Sequence, residues 1–148
     1  MDSNVTILIA EDNADYAMFM RFAWRETGRT NPVHVVENGE EAISYLLGGG
    51  KYSDRRFFAF PGMMLLDVKM PKVDGFEVLS WMQENPDCRV IPTMVLSSSV
   101  LETDVRKAYQ LGASAYLGKP GDLNDLKAML NDAWKFWEWC AKPETFRG

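Results

Sequence analysis

Acidic side chains close two strand-like apolar runs. Glu11 and Asp12 follow Val5-Thr6-Ile7-Leu8-Ile9-Ala10, and Asp67 follows Met63-Met64-Leu65-Leu66. Two later runs end in a hydroxyl and a cation: Ser97 follows Met94-Val95-Leu96, and Lys119-Pro120 follows Ala115-Tyr116-Leu117-Gly118. Two carboxylates about 4 Å apart repel by roughly 4 kcal/mol at an effective dielectric near 20, so gathering Glu11, Asp12 and Asp67 calls for a cation. Oxygen donors without a nearby Cys or His select a hard divalent ion, Mg²⁺ or Mn²⁺. Asp12 and Asp67 are the expected direct ligands, with Glu11 acting directly or through water. A carboxylate is also a nucleophile toward phosphorus, and Asp67, the central acid, would form an acyl phosphate. Phosphoryl transfer depends on positioning and on neutralising the equatorial oxygens, which the metal, the Lys119 ammonium and the Ser97 hydroxyl could do.

Such a site needs strand ends brought together. Runs rich in Val, Ile and Leu near residues 5–10, 33–36, 63–68, 92–97 and 115–117 alternate with helix-compatible segments, which predicts five strands and five helices. The runs are continuous rather than alternating in hydrophobicity, as in a parallel sheet covered on both faces. A doubly wound α/β sandwich follows, and in such a sheet ligands bind beyond the carboxyl ends of the strands. Asn38 or Gly39 begins the second helix and Gly48-Gly49-Gly50 ends it. The third helix follows Asp74-Gly75 and stops before Pro86. Thr103 is the expected cap of the fourth, and Gly112 its stop. Residues 48–62, which mix glycines, Lys51, Arg55, Arg56 and aromatics, read as an extended connection that packs at least in part on the domain. A long last helix is expected at about 122–141.

At 148 residues the chain fits one domain, and its 47% hydrophobic and 25% charged residues are ordinary for a soluble globular protein. A net charge of −5 argues against nucleic-acid binding, which needs a basic face. No apolar run approaches the roughly 20 residues that cross a bilayer, and Met1-Asp2-Ser3-Asn4 lacks a basic region before an apolar stretch, so a cytoplasmic protein is expected. Cys88 and Cys140 lack metal-ligand spacing and read as reduced, structural thiols. His34 sits in the second strand-like run without a ligand pattern, and a structural role is expected.

The ordered motifs Leu8-Ile9-Ala10-Glu11-Asp12-Asn13, Leu65-Leu66-Asp67-Val68-Lys69-Met70-Pro71, Asp74-Gly75, Val95-Leu96-Ser97-Ser98 and Gly112 through Pro120 resemble a response-regulator receiver domain over residues 5–130. The resemblance implies a flavodoxin-like sheet of order 2-1-3-4-5. It implies that Asp67 accepts a phosphoryl group from a histidine kinase or histidine phosphotransfer protein, and that Glu11 and Asp12 form the acidic pocket. Lys69 would offer its backbone carbonyl to the metal, and Ser97 and Lys119 would contact the phosphoryl group. Tyr116 would change rotamer as Ser97 moves toward it, making a two-state switch. A cis Lys119-Pro120 bond is a further implication of the resemblance. Ser97 stands where Thr is common, and the long 48–62 connection is similar to that of single-domain regulators associated with phytochrome-type kinases.

With no output domain after Gly148, the expected output is protein–protein interaction, through another protein or through self-assembly. A Mg²⁺-dependent phosphatase of small substrates and a phosphorylation-independent adaptor are the alternatives; dehalogenase-like phosphatases usually place an Asp where Lys69 stands. On the first helix Tyr16, Phe19, Met20 and Ala23 form an inward stripe, which leaves Met18 and Phe22 free for a partner. On the last helix Leu126, Met129, Leu130, Ala133, Trp134 and Trp137 form the core stripe. Phe136 and Trp139 fall off it, which suggests a homodimer through this helix or through the face of the fourth helix, fifth strand and fifth helix.

Overall fold

The computed structural model describes residues 4–143. Five parallel strands, β1 (Thr6–Ala10), β2 (Val33–Val36), β3 (Pro61–Leu66), β4 (Thr93–Ser97) and β5 (Ala115–Gly118), lie in the order β2-β1-β3-β4-β5. The helices are α1 (Ala14–Glu26), α2 (Gly39–Leu47), α3 (Gly75–Gln83), the short α4 (Pro86–Arg89), α5 (Glu102–Gln110) and α6 (Leu123–Trp139). No helix among the described residues is long and apolar enough to cross a membrane.

Every residue of β1, β3 and β4 is buried, whereas the edge strands β2 and β5 are only partly so. That difference is why the central runs are the most continuously apolar. Successive strand residues point to opposite faces, so one sequence feeds two cores. Leu8, Met64, Leu66 and Val95 pack with Tyr45, Val78, Leu79 and Ala108 of α2, α3 and α5. Ile7, Ile9, Met63 and Leu65 pack with Met20 and Trp24 of α1 and with Leu126, Leu130, Trp134 and Trp137 of α6. The Trp137 indole N–H donates to Gly62 O at 2.9 Å, fixing α6 across the start of β3.

Local chemistry accounts for most helix ends. Asn38 caps α2, its Oδ1 accepting from Glu41 N, and Gly48 ends it at φ 70° in the left-handed region. Asp74 and Glu77 form a reciprocal capping box on α3. Thr103, the expected cap of α5, instead lies inside its first turn. Leu101 is the cap residue and makes no side-chain cap bond. Pro86 ends one helix as expected but also opens α4 from its first position, where a missing N–H costs nothing. β3 begins at Pro61, two residues before the expected start.

The connection between α2 and β3 is packed. A 3₁₀ turn over Gly50–Tyr52 buries Tyr52, and Phe58 packs edge-on against both Tyr45 and Tyr52. Arg55 fastens it: its guanidinium donates to Phe58 O at 2.9 Å and Leu46 O at 2.8 Å and lies over the Tyr45 ring. His34 sits among Tyr45, Phe57 and Phe58, its Nε2 3.1 Å from Phe57 O, and burial pushes its pKa down. Arg55→Ala removes two hydrogen bonds from a charged donor and strands two carbonyls. A loss of about 2 kcal/mol is expected, read as a lower urea midpoint at unchanged slope.

Candidate functional site

The strand ladders continue past the strand ends and fix the backbone of the site. Glu11 N donates to Val36 O at 3.0 Å, Asp67 N to Ala10 O at 3.0 Å, and Lys119 N to Ser97 O at 2.9 Å. Two close approaches hold the Asp67–Asp74 loop. A Cβ on Gly75 would sit 2.3 Å from Asp67 O, and one on Gly39 would sit 2.1 Å from Val73 O. No side chain fits at either position, and Gly39 N and Gly75 N donate to Val73 O and Val68 O across the same contacts.

Carboxylate oxygens of Glu11, Asp12 and Asp67 lie within 4.8 Å of one another. Glu11 and Asp67 are buried and Asp12 is exposed, which leaves one face of the cluster open. The Lys119 ammonium reaches in to Glu11 Oε1 at 2.7 Å and Asp67 Oδ2 at 2.8 Å. The second Asp67 oxygen accepts from Lys69 N at 3.1 Å, and the second Glu11 oxygen from Asn13 N at 3.1 Å. Burial dominates at Glu11 and raises its pKa despite the ion pair. At Lys119 burial pulls the other way, but the hydrogen bonds to Asp67 and Glu11 outweigh it and the net shift is upward. The two partners therefore do not shift as a simple ion pair would: one ammonium stabilises two carboxylates that a desolvated pocket penalises. Three carboxylates open to solvent on one side suit a hard divalent cation.

Ser97 is fully buried, and its Oγ accepts from Ser99 N at 3.1 Å, so its proton is free to be donated. Tyr116 is half-buried; its hydroxyl donates to Ser99 O at 2.6 Å and its backbone N–H donates to Tyr109 Oη at 3.1 Å. The Tyr116 side chain is thus tied to the same loop that carries Ser97. The Lys69 side chain is exposed, and its backbone amide is what touches Asp67.

Sequence reasoning placed Tyr16 in the inward stripe of α1 and missed its place in the site. Its hydroxyl donates to Pro120 O at 2.8 Å, and its ring lies 4.7 Å from the Lys119 ammonium. The available signal was its position four residues after Asp12, in the first turn of α1. Met18 and Phe22 are exposed on that helix, 69% and 47%, as expected for residues off the stripe. The Lys119–Pro120 bond is trans, against the cis expectation; trans is the intrinsically favoured isomer of an X–Pro bond.

Known proteins share this fold. The family profile described as response regulator receiver domain matches residues 7–131. The chain is 37% identical over 141 residues to the probable methanogenesis regulatory protein FilR2 of Methanothrix harundinacea, a match spanning 93% of this chain and 86% of that protein. It is 32% identical over 131 residues to response regulator Rcp1 of Synechocystis sp., spanning 88% of this chain and 87% of that one. The Mn²⁺-bound crystal structure of Rcp1 superposes with a TM-score of 0.82 at 31% identity, covering 94% of this chain and 99% of that one. The phosphorylated cyanobacterial phytochrome response regulator RcpA superposes with a TM-score of 0.84 at 31% identity, covering 94% and 97%.

Proposed function

Because the chain belongs to the response regulator receiver family, a family of signalling proteins rather than typical enzymes, we propose that Asp67 is its phosphoacceptor. The observation that carries this reading is the Lys119 ammonium bridging Glu11 and Asp67 beside Asp12 at the carboxyl ends of the strands. The donor is a phosphohistidine on a histidine kinase or histidine phosphotransfer protein. An Asp67 carboxylate oxygen attacks phosphorus, the P–N bond breaks with its electron pair going to nitrogen, and the imidazole, already protonated on its other ring nitrogen, leaves neutral. The held backbone of Asp67 keeps the nucleophile in place, and transfer moves the Lys119 ammonium from carboxylate to phosphoryl oxygen. Ser97 donates its free hydroxyl proton to another phosphoryl oxygen. Mg²⁺ held by Asp12, Asp67 and the Lys69 carbonyl, with Glu11 directly or through water, would neutralise charge on the transferring group, and Mn²⁺ fits the same donors.

Drawing Ser97 toward the phosphoryl group displaces the Ser97–Ser99 loop that holds the Tyr116 hydroxyl, so Tyr116 and the surface of α5 and β5 respond together. Output is by protein–protein contact. Incubation with Mg²⁺ and acetyl phosphate tests the reading: a labile single modification by intact mass and phosphate-affinity gel is expected, and none appears if the chain is a phosphorylation-independent adaptor.

Self-association through α6 belongs to the same reading. Phe136 and Trp139 are 71% and 89% exposed one turn apart on its outer face, while Trp134 and Trp137 fill the core. Phe136→Glu with Trp139→Glu is expected to shift a dimer to monomer in sedimentation velocity without changing the melting temperature. An unchanged sedimentation coefficient removes α6 as the interface.

A further inference from the structure

At the opposite end of the sheet from the acidic cluster, where α1 ends and β2 begins, lies a cavity of about 470 Å³ walled by Arg21, Trp24, Arg25, Arg29 and Thr30. Its volume is that of a small-molecule site. Among the described residues none of these three arginines is in an ion pair. Arg29 donates to Asn131 Oδ1 at 2.6 Å and lies over the Trp24 ring, 5.6 Å from its centroid, while Arg21 and Arg25 are one turn apart on the same helix. Like charges at that spacing destabilise a helix, and burial together with the Arg25 charge pushes the Arg21 pKa down.

A last-turn arginine ordinarily answers the negative end of the helix dipole. Here two of the last carbonyls are already served: Trp24 O accepts from Thr27 N and from the Thr27 hydroxyl, and Arg25 O accepts from Gly28 N. A second observation is independent of the charges. Trp24 is 5% exposed, and its indole Nε1–H is the one buried side-chain donor without a partner among the described residues. A buried donor left unmade costs free energy, which an acceptor brought within its reach would recover.

We propose that this cavity is a second binding site, separate from the acidic cluster, for a small polyphosphorylated anion. Guanidiniums pair with phosphate bidentately, and three of them outweigh the half charge of the α1 terminus. Arg21 and Arg25 hold the phosphate chain. Arg29 turns off the Trp24 ring to join them, which opens the indole N–H to a phosphate oxygen. The site is independent of Asp67 and stands or falls without it.

Calorimetric titration of the whole chain tests it, in metal-free and phosphate-free buffer at physiological salt, with tripolyphosphate in one arm and ATP in the other. Saturable one-to-one binding is expected. Arg21→Gln with Arg25→Gln weakens it by about tenfold or more, Trp24→Phe weakens it by a smaller factor, and Arg56→Gln on the far loop leaves it unchanged. Equal affinity for both ligands assigns recognition to the phosphate chain alone, and tighter ATP binding adds the nucleoside. The double variant removes two unpaired like charges, so its melting temperature is expected to hold, and binding lost at preserved stability supports the site. Absent or unsaturable binding of both ligands, or binding equal in the double variant, overturns it.

Discussion

Asp67→Asn is expected to reduce phosphorylation by acetyl phosphate in Mg²⁺ to background while the domain stays folded. The amide has the shape of the carboxylate but is no nucleophile. Lys119 keeps its 2.7 Å ion pair with Glu11, so the cation remains compensated when the 2.8 Å contact to Asp67 becomes a charge–dipole one. The Asp67 charge also raises the Glu11 pKa, and removing it relieves a repulsion. Stability therefore changes by about 1 kcal/mol or less, while divalent-ion affinity falls by about tenfold or more, since one of the clustered carboxylates is lost. Intact mass, a thermal melt and a Mg²⁺ titration read the three effects. Modification persisting at wild-type stoichiometry would place the acceptor elsewhere.

Lys119→Met acts in the opposite sense, damaging stability as well as chemistry. Glu11 and Asp67 have side-chain exposures of only 2% and 7%, and the Lys119 side chain, 13% exposed, brings them their shared counter-ion. Removing one member of a buried ionic group leaves uncompensated charge, a cost of about 3–5 kcal/mol in metal-free buffer at neutral pH. The sign with pH follows from the shifts. Burial already raises the Glu11 pKa, and loss of Lys119 takes away a hydrogen bond and a charge that lowered it. Between the unfolded and the folded value of Glu11, the folded variant holds a proton that the unfolded chain releases. Its deficit shrinks as pH falls toward the ordinary carboxylate range and grows as pH rises through the folded value.

In the wild type, the net upward shift at Lys119 means its stabilisation is whole below lysine's ordinary value and lost as pH rises through the folded one. Millimolar Mg²⁺ is expected to restore part of the variant's stability by binding the folded state alone, without restoring phosphorylation. Urea unfolding across pH, with and without Mg²⁺, measures this. A variant as stable as the wild type and indifferent to pH would show that Lys119 does not compensate the acids.

The sheet was legible because its ingredients are local. Five apolar runs of strand length, each closed by a charged or hydroxyl-bearing residue (Glu11, Glu37, Asp67, Ser97 and Lys119), sit close to the observed strands, and the order 2-1-3-4-5 that the resemblance implies is the observed one. Asn38 and Gly48 act where their chemistry indicated, since a cap needs only residues three or four apart. The sequence positions of Glu11, Asp12, Asp67 and Lys119 likewise fix their meeting, because parallel strands bring their carboxyl ends to one edge.

What escaped depends on partners distant in the chain. Tyr16 meets Pro120 across 104 residues, and Gly39 is dictated by Val73 O rather than by its own helix. Thr103 had the right chemistry for a cap, yet the β4–α5 loop is organised instead by Ser99 donating to Asp104 at 2.7 Å. The order of the 48–60 connection turns on one arginine, and composition alone did not single out Arg55 from Arg56.

The most direct test of the central claim is to locate the modification itself. The wild-type protein, treated with acetyl phosphate and Mg²⁺, is reduced with borohydride, which converts an aspartyl phosphate to homoserine, and its peptides are sequenced by mass spectrometry. Homoserine at position 67, absent without Mg²⁺, is the predicted result. Homoserine at another acid, or none in protein shown to be folded and metal-bound, would contradict the assignment of Asp67 as phosphoacceptor.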